Sequence, residues 1–481
     1  MIVIFFAYLV IVLTISLISA LRVKTTHDFI LGGKKFSGVS LALSERATGE
    51  SAWLLLGLTG EAYLLGFQAI WIALGCIIGI GFIWFVMGNR LREETEKYNT
   101  FTVPGLLSKR FPGSEKLIGI ISALIVVFFF TFYIAAQFSG GGKILEDTFG
   151  LNPFWGMVLS SVIVIFYCMI GGFVTVVVTD IFQSILMIIT LIVLPIILIS
   201  IALINNVDAL AMLATTGKTS LVENNGFVGV LFILSGLSWA FGYTGQPQLL
   251  TRMMAIKNER DVIYAKWTAI FWTIFAYIGA LIIGYMGFVF VKSGFLNIEQ
   301  TSLIKDYETV LPVLINFFTA PIIAGLLLSG VISATMSTAS SEIIVSSSSI
   351  TEDIIMNLKK NNSVNQLEHS KLWVNKIITL CVGIVALILA ITVKDTVYGL
   401  VSYAWSGIGS SFGPALILLL FWKRLSRVGV ISSLLAGTIG TIIWKNFLLI
   451  PTGVSERLGS YVFALLMAII FSLIFPEKNN Q

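Results

Sequence analysis

The feature that most constrains this chain is a succession of apolar runs, each long enough to cross a lipid bilayer. They fall near residues 2–21, 39–65, 66–89, 117–140, 154–172, 180–204, 227–250, 266–291, 311–345, 372–393, 396–422, 428–447 and 458–475. Spanning bilayer hydrocarbon takes about 20 residues of helix. Only helices and closed barrels satisfy their own backbone hydrogen bonds there. The pattern therefore predicts an all-α integral membrane protein with about 13 transmembrane helices, its main partner being the lipid bilayer. Composition agrees, since 57% of the 481 residues are hydrophobic and 11% charged, more apolar surface than a soluble core can hide. The first run is too long for a signal-peptide core and has no basic leader, so it is expected to stay as a helix.

Charge placement supplies an orientation. Of 30 Lys and Arg residues, 22 fall on one side if the spans alternate, seven on the other, and Arg46 lies within a helix. The richer side includes Arg22, Lys34, Arg90, Arg110, Arg252, Lys257, Lys359, Lys371, Arg424 and Lys478; the poorer includes Lys143, Lys218, Lys305 and Arg457. Positive loops face the cytoplasm. The expectation is a multi-pass protein of the cell's plasma membrane, N-terminus outside and C-terminus inside. The loops leave no room for a soluble domain, and six residues follow Phe475. No basic, aromatic-laced tract points to nucleic acid. Cys76, Cys168 and Cys381 lie in apolar runs without paired or metal-ligand spacing, and read as small core residues.

Against this apolar background, Ser44-Glu45-Arg46-Ala47-Thr48-Gly49-Glu50-Ser51-Ala52-Trp53 stands out in the second span. One ionised group at mid-bilayer costs about 2.5–3.5 kcal/mol on insertion scales, so the cluster should face protein, ion or water. An ordinary helix with Glu45 and Arg46 snorkelling at one end is the plainer alternative. A helix interrupted beside a polar cavity accounts better for Glu50, which lies further in. The seventh span reads Ser238-Trp239-Ala240-Phe241-Gly242-Tyr243-Thr244-Gly245-Gln246-Pro247. Two glycines and a proline should unwind it, with Pro247 opening a second half-helix. Two interrupted spans, five apart in order, are the mark of a secondary transporter built from inverted repeats. The repeats would cover about 39–204 and 227–422 of a single transmembrane domain, with peripheral helices at 2–21 and 428–475.

Oxygen-bearing side chains concentrate in the ninth span, Ser333-Ala334-Thr335-Met336-Ser337-Thr338-Ala339-Ser340-Ser341-Glu342, followed by Ser346 to Ser349. Hydroxyls three or four residues apart share a helix face. In membranes they commonly pack helices and bond back to the backbone, the reading adopted for Ser346 to Ser349. For Ser337 and Thr338 ligation of sodium is expected, because a hard cation takes oxygen ligands and an unwound helix offers carbonyls. Asp180 opens the sixth run and either complements a helix dipole or serves an ion.

Several blocks stand in order along the chain: Ile30-Leu31-Gly32-Gly33, Trp53-Leu54-Leu55-Leu56-Gly57-Leu58, Gly171-Gly172-Phe173 with Thr179-Asp180, and Trp239 and Tyr243 ahead of Gly245-Gln246-Pro247. Met336-Ser337-Thr338, Ile350-Thr351-Glu352-Asp353 and Leu400-Val401-Ser402-Tyr403-Ala404-Trp405 follow. In these blocks the chain resembles the sodium/solute symporter family over nearly its full length, most closely the sodium/proline symporters. The resemblance implies a five-plus-five inverted-repeat core of the leucine-transporter type. It implies sodium-coupled import of a small amino acid, L-proline first, by alternating access. It also implies a sodium site from the carbonyls of Ala47, Glu50 and Ala334 and the hydroxyls of Ser337 and Thr338. Implied substrate residues are Ser51, Trp53, Gly57, Tyr133, Trp239, Tyr243 and Pro247. Some members hold a second sodium at positions matching Asp180, Ser340 and Ser341, while many sodium/proline symporters use one ion.

One departure is clear. Sodium/proline symporters have Asp then Met before the serine matching Ser51, where this chain has Gly49 and Glu50, with Glu45 and Arg46 one turn earlier. A one-residue move turns the acid by about 100° around a helix. It either serves the cation from another angle, pairs with Arg46 four residues back, or is protonated. Among other readings, a membrane enzyme finds only His27 and His369 and no catalytic motif, and a sensor finds no room for a signalling domain. Another carboxylate-bearing solute, a different amino acid or pantothenate, is the alternative within transport.

Overall fold

The computed structural model describes residues 1–21, 23, 26–32, 35–100, 102–222, 226–296, 304, 306–355 and 364–477. Arg22, Lys24, Gly33, Lys34, Lys305, Lys359, Lys360 and Lys478, named in the sequence reading or its charge count, lie outside these, as do the side chains of His27, His369 and Lys371. Every regular element among the described residues is helical.

Helix α1 (Ile2–Ala20) precedes α2 (Gly38–Gly49), whose N-cap Ser37 accepts the Ser40 N–H. After a bend at Glu50, the chain makes a wide helical turn over Trp53–Leu58 and continues as α3 (Thr59–Leu65). Then come α4 (Ile70–Phe82), α5 (Glu115–Phe149) and α6 (Pro153–Ile204). The second interrupted span consists of α7 (Phe227–Leu237), α8 (Trp239–Tyr243) and α9 (Pro247–Met254), bent by 44° at the break. The remainder is α10 (Glu259–Lys292), α11 (Val310–Phe318), α12 (Pro321–Ser348), α13 (Val364–Thr392), α14 (Val397–Phe421), α15 (Arg427–Ile443) and α16 (Glu456–Ile474).

Among the described residues, ten helices are long and apolar enough to cross a bilayer, or eleven with the bent α7–α9 pair taken as one span. The expected thirteen is reached only by dividing two long helical runs, Trp53–Lys97 and Pro153–Ile204. Each contains a glycine in the left-handed region, Gly66 at φ 62° and Gly172 at φ 52°. A Cβ on Gly172 would run 2.5 Å from the Phe29 ring, so the chain turns there without leaving a loop. Pro153–Ile204 is thus two helices that meet at a kink at Gly172, where the apolar text also divides. Asp180 lies eight residues past this turn, inside α6, so it does not sit at a helix N-terminus as expected.

The core forms where α12 packs along α6 and α5, and where α10 packs on α2, α3 and α6. Helices α14, α15 and α16 pack together beside it, and α1 lies on α6 and α12. Large exposed apolar side chains such as Ile196, Leu203, Phe271 and Ile388 cover the outward faces, as lipid contact requires. Cys76 and Cys168 are buried, but Cys381 is exposed, contrary to the core placement expected for it. It shares an outward face of α13 with Ile377, Ile384 and Ile388.

Candidate functional site

The site begins where α2 stops. The bend at Glu50 frees α2 carbonyls from intrahelical bonding, and α12 presents hydroxyls to them. Ser337 Oγ donates to the Ala47 carbonyl at 2.9 Å and approaches the Ala334 carbonyl at 3.2 Å. Thr338 Oγ1 donates to the Thr48 carbonyl at 2.7 Å. Of the five residues expected to hold sodium, Ala47, Ala334, Ser337 and Thr338 thus come together, and Thr48 joins them. The Glu50 carbonyl instead accepts the Leu54 N–H at 3.3 Å. All these residues are buried. Such a set of neutral oxygens suits a hard monovalent cation, and among the described residues no cluster of three His, Cys, Asp or Glu is placed to hold a metal.

An aromatic enclosure adjoins this seam. Trp53, in the wide turn after the first break, stacks on Trp239 of α8. Trp405 of α14 meets Tyr243 edge-on at 4.7 Å and lies 6.0 Å from Trp239 and 6.4 Å from Tyr133. Ser51 Oγ and Tyr133 Oη are 3.5 Å apart. These side chains are fully buried, so the enclosure is closed over. Gly57 packs on Tyr398, which in turn reaches Trp239 at 5.6 Å. Pro247 takes part as the first residue of α9, after Gln246 leaves helical geometry at ψ 104°. The free Ala52 N–H at the first break is met by Gln137 Oε1 at 3.0 Å.

The acidic departure forms one buried network. Arg46 is bound by Glu45 through its Nε at 2.6 Å and by Glu50 through Nη1 at 2.6 Å, and Nη1 also reaches Thr273 Oγ1 at 3.2 Å. Trp84 Nε1 donates to Glu45 at 3.1 Å. The second oxygen of Glu50 accepts the Tyr277 hydroxyl at 2.6 Å, and Tyr277 and Tyr243 hydroxyls are 3.0 Å apart. Glu45, Arg46 and Glu50 have no exposed surface, so none snorkels. Of the roles open to Glu50, the pairing with Arg46 four residues back is the one observed.

Asp180 meets the guanidinium of Arg252. Its Oδ2 accepts from Ser44 at 2.6 Å and from Arg252 Nη2 at 3.1 Å. The same Nη2 lies 2.5 Å from Ser341 Oγ and 3.1 Å from Thr48 Oγ1. Ser340 is not part of this group, because its hydroxyl bonds back to the Ser337 carbonyl. Arg252 is fully buried rather than in an inner loop. The half-helix opened by Pro247 runs on past the apolar text to Met254 and carries Arg252 to Asp180. Trp405 stood in a matched block without a role, and Tyr277, Gln137 and Arg252 had no local motif. Only a search for polar groups inside apolar runs could have raised them.

A sequence model of the Sodium:solute symporter family matches residues 29–437. Sodium/proline symporter 2 of Staphylococcus saprophyticus is 34% identical over 458 residues, covering 94% of this chain and 88% of its own. The sodium/proline symporter of Escherichia coli is 34% identical over 484 residues, covering 98% and 93%. Among solved structures, a Na+-coupled sialic acid symporter in a substrate-bound outward-open state superposes with a TM-score of 0.79 at 18% identity, over 99% of this chain and 98% of that one. MhsT in complex with L-phenylalanine superposes with a TM-score of 0.54 at 16% identity, over 90% and 98%. These likenesses of fold accord with a leucine-transporter type core, and by its sequence the chain belongs to the sodium:solute symporter family.

Proposed function

We propose that this chain imports L-proline together with sodium, by alternating access around the interrupted spans. The observation that carries the reading is the closed aromatic enclosure of Trp53, Trp239, Tyr243 and Trp405 beside the hydroxyl-to-carbonyl pairs of the α2–α12 seam. Aromatic faces suit the apolar pyrrolidine ring, and Ser51 with the free backbone groups of the breaks suits its carboxylate. In this reading sodium takes the oxygens of Ala47, Ala334, Ser337 and Thr338 when it binds, replacing their mutual hydrogen bonds. The names of the two sodium/proline symporter relatives support proline over another amino acid or pantothenate.

We read Asp180 and Ser341 as the seat of the Arg252 guanidinium, a tethered cation, in place of a second sodium. Charge bias supports a plasma-membrane protein with the N-terminus outside. Cysteines placed at Lys218 and Lys359 should label from opposite faces of the membrane, and labelling from one face would overturn that topology. Uptake of labelled solutes into proteoliposomes, with and without a sodium gradient, tests the transport reading. Sodium-stimulated proline uptake is expected. Uptake of another carboxylate solute in its place would overturn the substrate.

A further inference from the structure

Helix α12 and its C-cap Ser349 carry a line of oxygen atoms that starts at Thr338 of the site above and runs on past it. Thr338, Glu342, Ser346 and Ser349 follow one another at intervals of four, four and three residues, so they share one helix face. They reach over about 16 Å at the α-helical rise. All four are fully buried. Neither carboxylate oxygen of Glu342, nor the Oγ of Ser346 or Ser349, has a hydrogen-bond partner among the described residues. Ser348 Oγ is likewise unpartnered, but other hydroxyls of α12 are bonded. Ser333, Thr335, Ser340 and Ser347 each bond back to a carbonyl of their own helix.

A buried carboxylate without a partner is among the costliest groups a protein can hold, and it is retained where something charged meets it. The buried guanidinium groups of Arg46 and Arg252 are engaged elsewhere, Arg46 by Glu45 and Glu50, Arg252 by Asp180. Glu342 lies one turn from Thr338 on the same face of α12. It is one turn beyond the proposed sodium oxygens, toward the Ser349 end of α12, the end that charge bias assigns to the cytoplasm. We propose that Glu342 is a relay site for a hard monovalent cation. Sodium leaving the Ser337–Thr338 oxygens is received by the Glu342 carboxylate and passed along Ser346 and Ser349 to the inner face. The inference rests on the sodium site proposed above.

The test uses the full chain in proteoliposomes and sodium as the probe. Internal sodium inhibits inward transport by occupying the release path. In Glu342→Gln the internal sodium concentration giving half-inhibition should rise about tenfold, as for loss of one charged ligand. The external sodium concentration giving half-maximal uptake should stay at the wild-type value. Ser346→Ala should shift internal inhibition in the same direction by less. Proline exchange at equal sodium on both sides reports that each variant has folded. If Glu342→Gln fails that check, Ser346→Ala alone decides, a shift supporting the relay and an unchanged value overturning it. Unchanged internal inhibition in a folded Glu342→Gln overturns the proposal, as does an altered pH profile with sodium inhibition intact, which would make Glu342 a proton site. Failure of the underlying sodium site reads out separately, as unchanged external sodium dependence in Ser337→Ala.

Discussion

Trp53 and Trp239 stack face to face with ring centroids 4.4 Å apart and planes 10° from parallel, joining one interrupted span to the other. An aromatic pair of this kind contributes about 0.5–1.5 kcal/mol beyond the area it buries. Trp239→Ala should therefore raise the apparent KM for proline about tenfold, at about 1.4 kcal/mol per decade. Trp239→Phe, which keeps a ring face, should raise it less. Concentration-dependent uptake measures both, and equal KM values in wild type and Trp239→Ala would remove this pair from the substrate site.

The two hydroxyls facing α2 set the sodium response. Ser337→Ala and Thr338→Ala each remove one oxygen, and an oxygen ligand worth about 1.4 kcal/mol lowers apparent sodium affinity tenfold. Sodium titration of proline uptake should show that shift in each variant. Wild-type titrations in both would place the ion elsewhere.

Arg46 is the only cation in direct contact with Glu45 and Glu50 among the described salt bridges. Removing one member of a buried ion pair costs about 3–5 kcal/mol, because the remaining charge has no partner. Arg46→Met should lower the thermal unfolding midpoint of the purified protein substantially, and adding Glu45→Gln should recover part of it. A midpoint equal to wild type would mean that the carboxylates are neutral without Arg46.

With Arg252 at Asp180 and Ser341, one sodium should accompany each proline. Reversal potentials in proteoliposomes give that ratio directly. A value of one is expected in wild type and in Ser341→Ala, whereas two in wild type, falling in the variant, would restore a second ion.

Much of this architecture was legible because membranes punish polarity. Glu45, Arg46 and Glu50 within an apolar run, and the Gly-Gly-Pro spacing ahead of α9, each mark a place where regular helix is costly, and the structure interrupts both spans there. Ser337 and Thr338 were singled out because a hard cation takes oxygen ligands, and the family resemblance named them as well. What the text could not convey is which distant groups meet. Arg252 looked like a loop cation because local hydropathy carries no information about Asp180, seventy-two positions earlier. The division within Pro153–Ile204 was legible in the same way, since the apolar text pauses where Gly172 at φ 52° parts two helices.

The chain of contacts from Arg46 through Glu50 to Tyr277 and Tyr243 has a mechanical consequence. It ties the C-terminal end of α2 to the middle of α10 and to the last residue of α8, so these three are expected to shift as one block. In the proposed transport cycle that block slides on α12, which is held to α2 by the hydroxyls of Ser337, Thr338 and Ser341. In the reading proposed above, the ion is the clasp on that sliding surface. Its arrival stiffens the joint and its departure lets the block swing, so a stroke of the machine is timed by the weakest fastening rather than by the strongest.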